Sequence, residues 1–406
     1  MRIAYVCHYF VPEPAAPAAR VHEFARAWVQ AGQQVDVVTT FPNHPVGRIP
    51  REYRGRLRST EWLDGIRVLR CWVYAVPNRG IGRRGLDHLS FMLTALAFGL
   101  PWLRPVDVVI ASSPTLFSAL SAWLMARVKR VPFVLEVRDL WPEAIVDLGL
   151  MRRGSLSVRV LEGLARFLYR QAARVVVVTN AFADRLAAQG VPLSKLAVVP
   201  NGADTRFFSP ASDGRDVRAA LGLDGRFVVA YVGSHGLSHG LGAVLDAAEA
   251  QPEVTFLLVG DGAERDRLVK ERDRRDLRNV IMRPSVSKAE VPSVYAAADA
   301  CLVPLRDVPI FETFVPSKLF EVLAAGRPVI GAVRGEARDI LNRSGGALVV
   351  DPERGDQLAA AIDRLRSNSE LRDTLGKSGR AFARQQYDRD VLARRYLDLL
   401  DEVVGV

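Results

Sequence analysis

The strongest chemical signal in the sequence is the run from Pro316 to Glu321 (PSKLFE), which opens a predicted helix. Proline suits the first turn of a helix, because its missing N–H would have no partner there. The free N–H groups and the dipole of a helix start attract an anion, and Lys318 adds a full positive charge. Glu321 lies one turn further along the same face, where its carboxylate can accept hydrogen bonds from hydroxyl groups. An ordinary capped helix with a surface ion pair is the alternative interpretation.

A second candidate is the segment 233–240 (GSHGLSHG), which follows a predicted strand at Phe227–Val232. Its glycines allow the backbone to approach a ligand closely. The spacing matches neither a dinucleotide-binding loop nor a P-loop. His235 and His239 lie four residues apart without a third ligand nearby, so the sequence predicts no metal site.

Two more candidates follow strands in the first half of the chain. Arg138 and Asp139 come directly after the predicted strand Phe133–Val137, where Arg suits phosphate binding and Asp suits a base, and a structural ion pair is the alternative. The loop after the first strand carries the small residues Ala15 and Ala16, which let a ligand approach the following helix.

Strands and helices alternate along the whole chain, and the pattern restarts after the turn-rich stretch 200–204. Short apolar runs, such as the four valines at 175–178, are typical of strands buried in a parallel sheet. Two such series predict an α/β protein with two doubly wound Rossmann-like domains facing each other across a cleft. We expect the domains at 1–204 and 205–386, with a C-terminal helix at 387–406 that packs back on the first domain.

Charge is distributed unevenly between the two halves. Residues 1–205 contain 26 Lys or Arg against 15 Asp or Glu, whereas residues 206–406 contain 29 against 30. The first half therefore suits an anionic partner such as nucleic acid, an anionic membrane or a phosphorylated substrate, and a solvated basic surface is the alternative. Nucleic acid is disfavoured, because the basic residues form no aromatic-interleaved platform.

The segment 79–104 combines arginines with the apolar run 89–103, which is too short to cross a bilayer. An in-plane helix on a membrane and a buried core helix are the two open interpretations. The triplet 388–390 (DRD) is best explained as a helix cap rather than a metal site. Three widely spaced cysteines form no metal or disulfide pattern, which fits a reducing compartment.

Taken together, five segments resemble glycosyltransferase family 4, the retaining enzymes with a GT-B fold. They are 9–14, 41–47, 136–143 (EVRDLWPE), 199–204 (VPNGAD) and 316–326. The resemblance covers essentially the whole chain and is greatest to bacterial transferases of O-antigen and colanic-acid assembly, including the N-acetyl-L-fucosamine transferase subgroup.

The resemblance implies a nucleotide-sugar donor, a UDP-sugar, in the second domain. Lys318 would contact its phosphates and Glu321 its ribose. The other implied donor residues are Pro316, Ser317, Thr313, Gly233, Ser234, His239, Arg283 and Pro284. The implied acceptor is an undecaprenyl-diphosphate saccharide in the first domain, with Arg20, Ala15, Ala16 and His44 as acceptor-binding residues. Arg138, Asp139 and His44, together with Lys318, are the expected catalytic residues.

Four positions depart from the family pattern, and one of them is Arg138, which stands where the family often has a histidine. Thr313 replaces the first glutamate of the usual Glu-x7-Glu, with Glu312 one residue out of register, which leaves the donor sugar open. Ser234 and His239 stand where the family usually has Arg and Lys. The diphosphate charge would then rest on Lys318 and the helix dipole, with an arginine from the other domain as a further candidate.

The expected reaction is metal-independent retaining transfer of a sugar, such as a deoxy-amino sugar, in surface polysaccharide biosynthesis. We expect a cytoplasmic protein, peripheral on the inner membrane. A UDP-sugar 2-epimerase and a non-catalytic nucleotide-sugar-binding subunit are the alternatives.

Overall fold

The computed structural model describes residues 1–13, 16–44, 47–76, 81–113, 115–147, 149 and 151–405. The chain divides into two compact units. Unit 1 comprises Met1–Pro200 and Leu392–Val406, and unit 2 comprises Asn201–Val391. The sequence-based boundaries, after residues 204 and 386, lie within a few residues of the divisions between the two units, after residues 200 and 391.

Within its described residues, unit 1 contains an eight-stranded sheet in the order β3-β4-β2-β1-β5-β6-β7-β8. The strands are β1 (Arg2–Val6), β2 (Gln34–Thr40), β3 (Arg58–Leu63), β4 (Ile66–Cys71), β5 (Val108–Ser112), β6 (Phe133–Val137), β7 (Arg174–Val177) and β8 (Leu196–Val198). All neighbouring strands are parallel except β3, which pairs antiparallel with β4. Asp64 and Gly65 connect this hairpin with positive φ at both residues, as a type I′ turn requires.

The helices of unit 1 cover both faces of this sheet. They are α1 (Ala16–Gln30), α2 (Ile81–Thr94), α3 (Leu100–Trp102), α4 (Leu116–Lys129), α5 (Glu143–Asp147), α6 (Leu156–Gln171) and α7 (Asn180–Ala188). A π-helical turn at Ala95–Gly99 joins α2 to α3. Among the described residues, no helix is both long and apolar enough to span a bilayer.

Unit 2, in which every residue is described, contains a six-stranded parallel sheet in the order β11-β10-β9-β12-β13-β14. The strands are β9 (Phe227–Val232), β10 (Val254–Val259), β11 (Val280–Arg283), β12 (Ala300–Pro304), β13 (Val329–Ala332) and β14 (Ala347–Val350). Its helices are α8 (Arg215–Leu221), α9 (Gly242–Ala250), α10 (Arg265–Arg274), α11 (Val291–Ala297), α12 (Ser317–Ala324), α13 (Gly335–Ser344), α14 (Gly355–Ser367) and α15 (Ser369–Gln386).

The last helix, α16 (Arg389–Val404), begins in unit 2 and contributes most of its length to the core of unit 1. The rings of Trp28 and Tyr396 lie 5.3 Å apart at nearly right angles, and the Trp28 indole donates a hydrogen bond of 2.9 Å to the carbonyl of Ala393. At the start of the helix, the Asp388 carboxylate accepts from the N–H of Asp390 at 2.9 Å, which confirms the triplet as a helix cap.

The strand order shows where each unit can bind a ligand. In both sheets the direction of winding reverses at the centre, between β1 and β5 in unit 1 and between β9 and β12 in unit 2. Loops at such a switch point diverge and leave a crevice at the carboxyl ends of the strands. The predicted α/β class with two doubly wound Rossmann-like domains is therefore confirmed.

Candidate functional site

The two loops that follow β9 and β10 are joined backbone to backbone. Gly233 donates its N–H to Val259 at 2.9 Å, and the N–H of His235 donates to the carbonyl of Asp261 at 2.8 Å. A Cβ on Gly260 would lie 1.8 Å from the Gly233 carbonyl oxygen, and one on Gly262 would lie 2.6 Å from that of His235. Only glycine fits such an approach, so this pair of loops is a rigid floor at the switch point of unit 2.

The ammonium group of Lys318 lies against this floor. Its Nζ is 3.8 Å from the centroid of the Tyr231 ring, and a Cβ on Gly233 would lie only 2.5 Å from it. The residue is half-buried, but the ammonium is enclosed and has no hydrogen-bond partner among the described residues. Burial lowers the pKa of Lys318 to about 7, against the opposing influence of Glu321. An enclosed cation with unused donors at a helix start is a site prepared for an anion.

Glu321 follows one turn later on α12. The hydroxyl of Tyr295 donates to its Oε2 at 3.3 Å, and burial raises the pKa of the carboxyl. Its remaining lone pairs can accept from hydroxyl groups of a ligand held at Lys318. The structure therefore brings Lys318 and Glu321 to one place, as their spacing predicts.

Two histidines complete the floor without adding charge. The ring nitrogens of His235 are buried and unpaired among the described residues, and burial lowers its pKa to about 4. The Nδ1 of His239 lies 3.4 Å from the Pro304 carbonyl, and burial lowers its pKa to about 3. Both imidazoles are therefore neutral at pH 7, and the positive charges that act on His235 are those of Arg265 and Lys318.

The other expected donor residues have different surroundings. Pro316 caps α12 and Ser317 is its first residue. The Thr313 hydroxyl donates to the Ile310 carbonyl at 2.7 Å, so it closes its own turn. A Cβ on Gly335 would lie 2.1 Å from the Glu312 carbonyl oxygen, so the start of α13 packs directly on this turn.

Ser234, Arg283 and Pro284 are exposed. The Ser234 carbonyl accepts from the Tyr231 hydroxyl at 2.6 Å, and the Arg283 carbonyl accepts from the N–H of Gly260 at 3.0 Å. The backbone of both residues therefore belongs to the glycine floor, and their side chains are free to contact a ligand.

Arg20, which was expected to bind an acceptor, has buried partners within unit 1. The residue is only 2% exposed, and its guanidinium donates to the carbonyls of Val199 at 2.8 Å and Pro200 at 2.7 Å. It also contacts the buried Glu136 at 3.3 Å. A guanidinium with these partners fastens the end of β6 to the chain at 199–200, so its role is structural.

Arg138 and Asp139, at the end of β6, have fewer hydrogen-bond partners among the described residues than Arg20 has. The Nε and Nη1 of Arg138 are buried without a hydrogen bond among the described residues, and Glu136 lies 3.9 Å away. Burial lowers the pKa of Arg138. Burial also raises the pKa of Asp139 to about 6, against the opposing influence of Arg138. This pair at the end of β6 is suited to a polar ligand that supplies the missing partners.

His44 lies on the rim next to β1. Its N–H and that of Asn43 donate to one Glu13 oxygen, at 2.9 and 2.8 Å, and its ring is 5.3 Å from that of Tyr9. Burial lowers the pKa of His44. Ala16 opens α1, whereas Ala15 lies outside the described residues.

A histidine cluster beside His44 was not predicted. The Nε2 of His8 lies 3.2 Å from the Asp87 carboxylate, and its ring is 4.9 Å from that of His88. Burial lowers the pKa of His88 to about 2. The signals in the sequence were a histidine directly after the first strand and the Asp87-His88 pair in the arginine-flanked segment. Because His8 and the Asp87-His88 pair lie far apart along the chain, the sequence did not show that they are in contact.

Comparisons with known proteins agree with this architecture. Residues 16–202 match the family model "Glycosyl transferase 4-like domain", and residues 214–382 match "Glycosyl transferases group 1". The chain is 26% identical over 388 residues to the glycosyl transferase WcaI of Escherichia coli K12, covering 91% of this chain and 93% of WcaI.

Two solved structures share the fold. Sucrose-phosphate synthase from Thermosynechococcus elongatus superposes with a TM-score of 0.76 at 19% identity, covering 100% of this chain and 99% of that one. HepE from Anabaena, in complex with UDP-glucose, has a TM-score of 0.72 at 20% identity, covering 99% and 100%. The two Rossmann-like units are thus those of the GT-B fold. The two family matches show that the chain is a glycosyltransferase, with a glycosyl transferase 4-like first half and a group 1 second half.

Proposed function

We propose that the chain transfers a sugar from a UDP-sugar, with retention of configuration, to an undecaprenyl-diphosphate saccharide during surface polysaccharide biosynthesis. The enclosed, unpartnered ammonium of Lys318 at the start of α12 carries the proposal, because a diphosphate supplies the partner that it lacks among the described residues. The HepE complex with UDP-glucose supports this class of donor, and the name of WcaI, which refers to colanic acid biosynthesis, supports the pathway.

The donor would lie along α12 and the glycine floor. Its diphosphate would contact Lys318 and the N–H groups of the first turn of α12, and its ribose hydroxyls would donate to Glu321. Arg283 and Pro284, exposed after β11, would border the base. Thr313, whose hydroxyl donates to the Ile310 carbonyl, provides no carboxylate for the sugar, which fits a sugar with fewer hydroxyls, such as N-acetylfucosamine.

The main requirement of the proposed reaction is stabilisation of the negative charge that develops on the departing diphosphate. The bond from the anomeric carbon to the diphosphate oxygen breaks, and negative charge develops where Lys318 and the helix start stabilise it. In a front-face reaction the departing phosphate takes the proton of the acceptor hydroxyl, and the new bond forms on the same face. Asp139, Arg138 and His44 in unit 1 would orient the acceptor.

No metal cofactor is required by this proposal, because Lys318 and the helix dipole act on the leaving group. We expect the rate of transfer to be unchanged by excess EDTA after dialysis. A rate that collapses with EDTA and returns with Mg²⁺ or Mn²⁺ would contradict this part of the proposal.

A surface of unit 1 suits attachment to an anionic membrane. Leu86, Leu89 and Leu93 form an exposed row on α2, with exposed fractions of 56%, 36% and 57%. The exposed Trp72 and Tyr74 adjoin this helix, because Thr94 donates to the Trp72 carbonyl and the N–H of Tyr74 donates to Ser90. The exposed Arg83 lies on α2 itself, and the exposed Arg58 pairs across the sheet with Cys71, the residue before Trp72. An apolar helix face bordered by arginines is typical of a protein that lies in the membrane interface.

A thermal-shift panel of nucleotide sugars is the first test. A ligand that binds only the folded protein raises its melting temperature, by an amount equivalent to about 2.7 kcal/mol at a hundredfold excess over Kd. We expect UDP and UDP-sugars to produce the shift and GDP-mannose to produce none. Products formed from the donor alone would instead indicate an epimerase. UDP binding without transfer to any acceptor would indicate a binding subunit.

A further inference from the structure

An apolar groove of about 480 Å³ lies in unit 1 between α2, α4 and α6. Phe117, Leu156, Val160 and Leu161 form much of its wall. The volume is within the range of about 300–1,000 Å³ that is usual for small-molecule sites. None of these wall residues takes part in the donor site or in the acceptor contacts described above.

One end of the groove is polar. Arg84 lies there, where it acts electrostatically on Tyr9, and it has no carboxylate within 4 Å among the described residues. His88 lines the same end, is 5% exposed, and its Nε2 has no hydrogen-bond partner among the described residues. The ring of Trp141 lies 6.4 Å from that of His88. This end therefore offers a cation and an unused polar atom next to an apolar channel.

The other side of the groove opens to solvent across α6. Leu156 is 78% exposed and Val160 is 61% exposed, one turn apart on the same face of the helix. Arg152 and Arg159 are exposed beside them. An apolar ligand longer than the groove can therefore continue along this face, and the neighbouring charges favour an anionic one.

We propose that this groove binds the first isoprene units of a prenyl-diphosphate-linked acceptor, with the phosphates at Arg84 and His88. Arg84 acts electrostatically on Tyr9, which follows β1, and on His44, which follows β2. A saccharide attached to phosphates at Arg84 would therefore reach the carboxyl ends of these two strands. The inference rests on the proposed function, because it assigns a position to the acceptor that this function requires.

Gly85 offers a way to fill the groove without disturbing the core. It lines the groove on α2, and a Cβ there would meet nothing within 4 Å. We expect Gly85→Phe to place its ring in the groove and to fold well, because replacing a helical glycine favours the helix. Gly163→Phe is the matched control. Gly163 is also a half-buried helical glycine with open space around its Cβ, and it lines a different depression.

Isothermal titration with geranylgeranyl diphosphate tests the assignment directly. We expect similar affinity in the wild type and Gly163→Phe, and at least tenfold weaker binding in Gly85→Phe. Inorganic diphosphate should bind all three proteins equally. The proposal is overturned if the wild type does not bind the prenyl probe, or if Gly85→Phe binds it as well as the control does. Dodecyl phosphate binding as tightly, with the same loss in Gly85→Phe, would make the groove an acyl-chain site instead.

A second variant and a transfer assay distinguish failure of the groove assignment from failure of the proposed function. Val160→Asp puts a carboxylate on the exposed rim, where folding tolerates it, and should also weaken prenyl binding. If the wild type transfers sugar to a prenyl-linked acceptor and Gly85→Phe leaves KM unchanged, the groove assignment fails while the function stands. If prenyl binding depends on Gly85 but no transfer occurs, the groove stands and the function fails.

Discussion

At the scale of single residues, Lys318 shows the difference between what spacing predicts and what folding adds. The sequence predicts its position at a helix start and its partner Glu321 one turn later. It does not predict the ring of Tyr231 at 3.8 Å or the glycine floor, because these come from the strands β9 and β10 and their loops, more than fifty residues earlier in the chain. The same reason explains why the partners of Arg20 were not predicted, since the residues at 136 and 199–200 meet it only in the folded sheet.

Removing the charge of Lys318 should make the protein more stable and less able to bind its donor. Lys318→Met keeps the length of the side chain and removes an enclosed charge that has no hydrogen-bond partner among the described residues. We therefore expect about 1–3 kcal/mol of added stability in urea unfolding. Isothermal titration should show UDP affinity reduced at least tenfold. The exposed Lys377 provides the control, because Lys377→Met should change neither quantity. Lower stability together with unchanged UDP affinity would contradict this role.

The lowered pKa of Lys318 also predicts how pH acts. Its pKa is about 7 in the folded protein against an ordinary value of 10.5, so between these values the unfolded chain binds more protons and stability rises with pH. Lys318 destabilises the folded protein most below pH 7, where it is charged in both states, and has no such effect above about pH 10.5, where it is neutral in both. The stability gained by Lys318→Met should therefore shrink as pH rises from 6 to 9. A gain that is independent of pH would show that Lys318 stays protonated in the folded protein over this range, with a pKa near its ordinary value.

At the scale of elements, the parallel strands were predictable because continuous apolar runs mark strands that are buried on both faces. The antiparallel strand β3 was missed, because its residues alternate between exposed and half-buried and carry little apolar signal. The Asp64-Gly65 pair was the available indication of that hairpin. The helices α13 to α15 were also not predicted, and they pack through small residues such as Gly346 and Gly379, whose Cα atoms approach closely.

The paired loops after β9 and β10 should not tolerate a methyl group. Gly260→Ala places a Cβ 1.8 Å from the Gly233 carbonyl oxygen, at a φ of 154° that favours glycine. We expect a loss of stability of about 2 kcal/mol or more and the loss of UDP binding. Gly242→Ala, at the start of α9 with nothing within 4 Å, should leave both unchanged. Equal behaviour of the two variants in urea unfolding would refute the rigid-floor interpretation.

At the scale of the whole molecule, the excess of positive charge in the first half agrees with the arginines around the exposed leucines of α2. The sequence left a membrane helix and a core helix open for the segment 79–104, of which residues 79–80 lie outside the described residues. The structure shows an amphipathic helix, with His88 and Phe91 buried and Leu86 and Leu93 exposed. The apolar spacing alone could not show which residues of α2 are exposed, because that depends on which face of the helix the sheet and α4 cover.

Membrane binding should depend on that exposed row. In co-sedimentation with phosphatidylglycerol vesicles, we expect Leu86→Glu combined with Leu93→Glu to reduce binding at least tenfold, because charge is added to an apolar and basic surface. Leu193→Glu is the control, since Leu193 is 73% exposed elsewhere in unit 1. Wild-type binding should weaken with salt. Binding that is the same in the double variant and the control would place the membrane contact elsewhere.

The most direct test of the central claim is a transfer assay with UDP-sugars and a prenyl-diphosphate-linked saccharide, in which the anomeric configuration of the product is read by NMR. The account predicts a retained configuration, with kcat/KM lowered about 100-fold or more in Lys318→Met, as expected when a preorganised charge on the leaving group is lost. A product of inverted configuration, or near-wild-type kcat/KM in Lys318→Met, would contradict it.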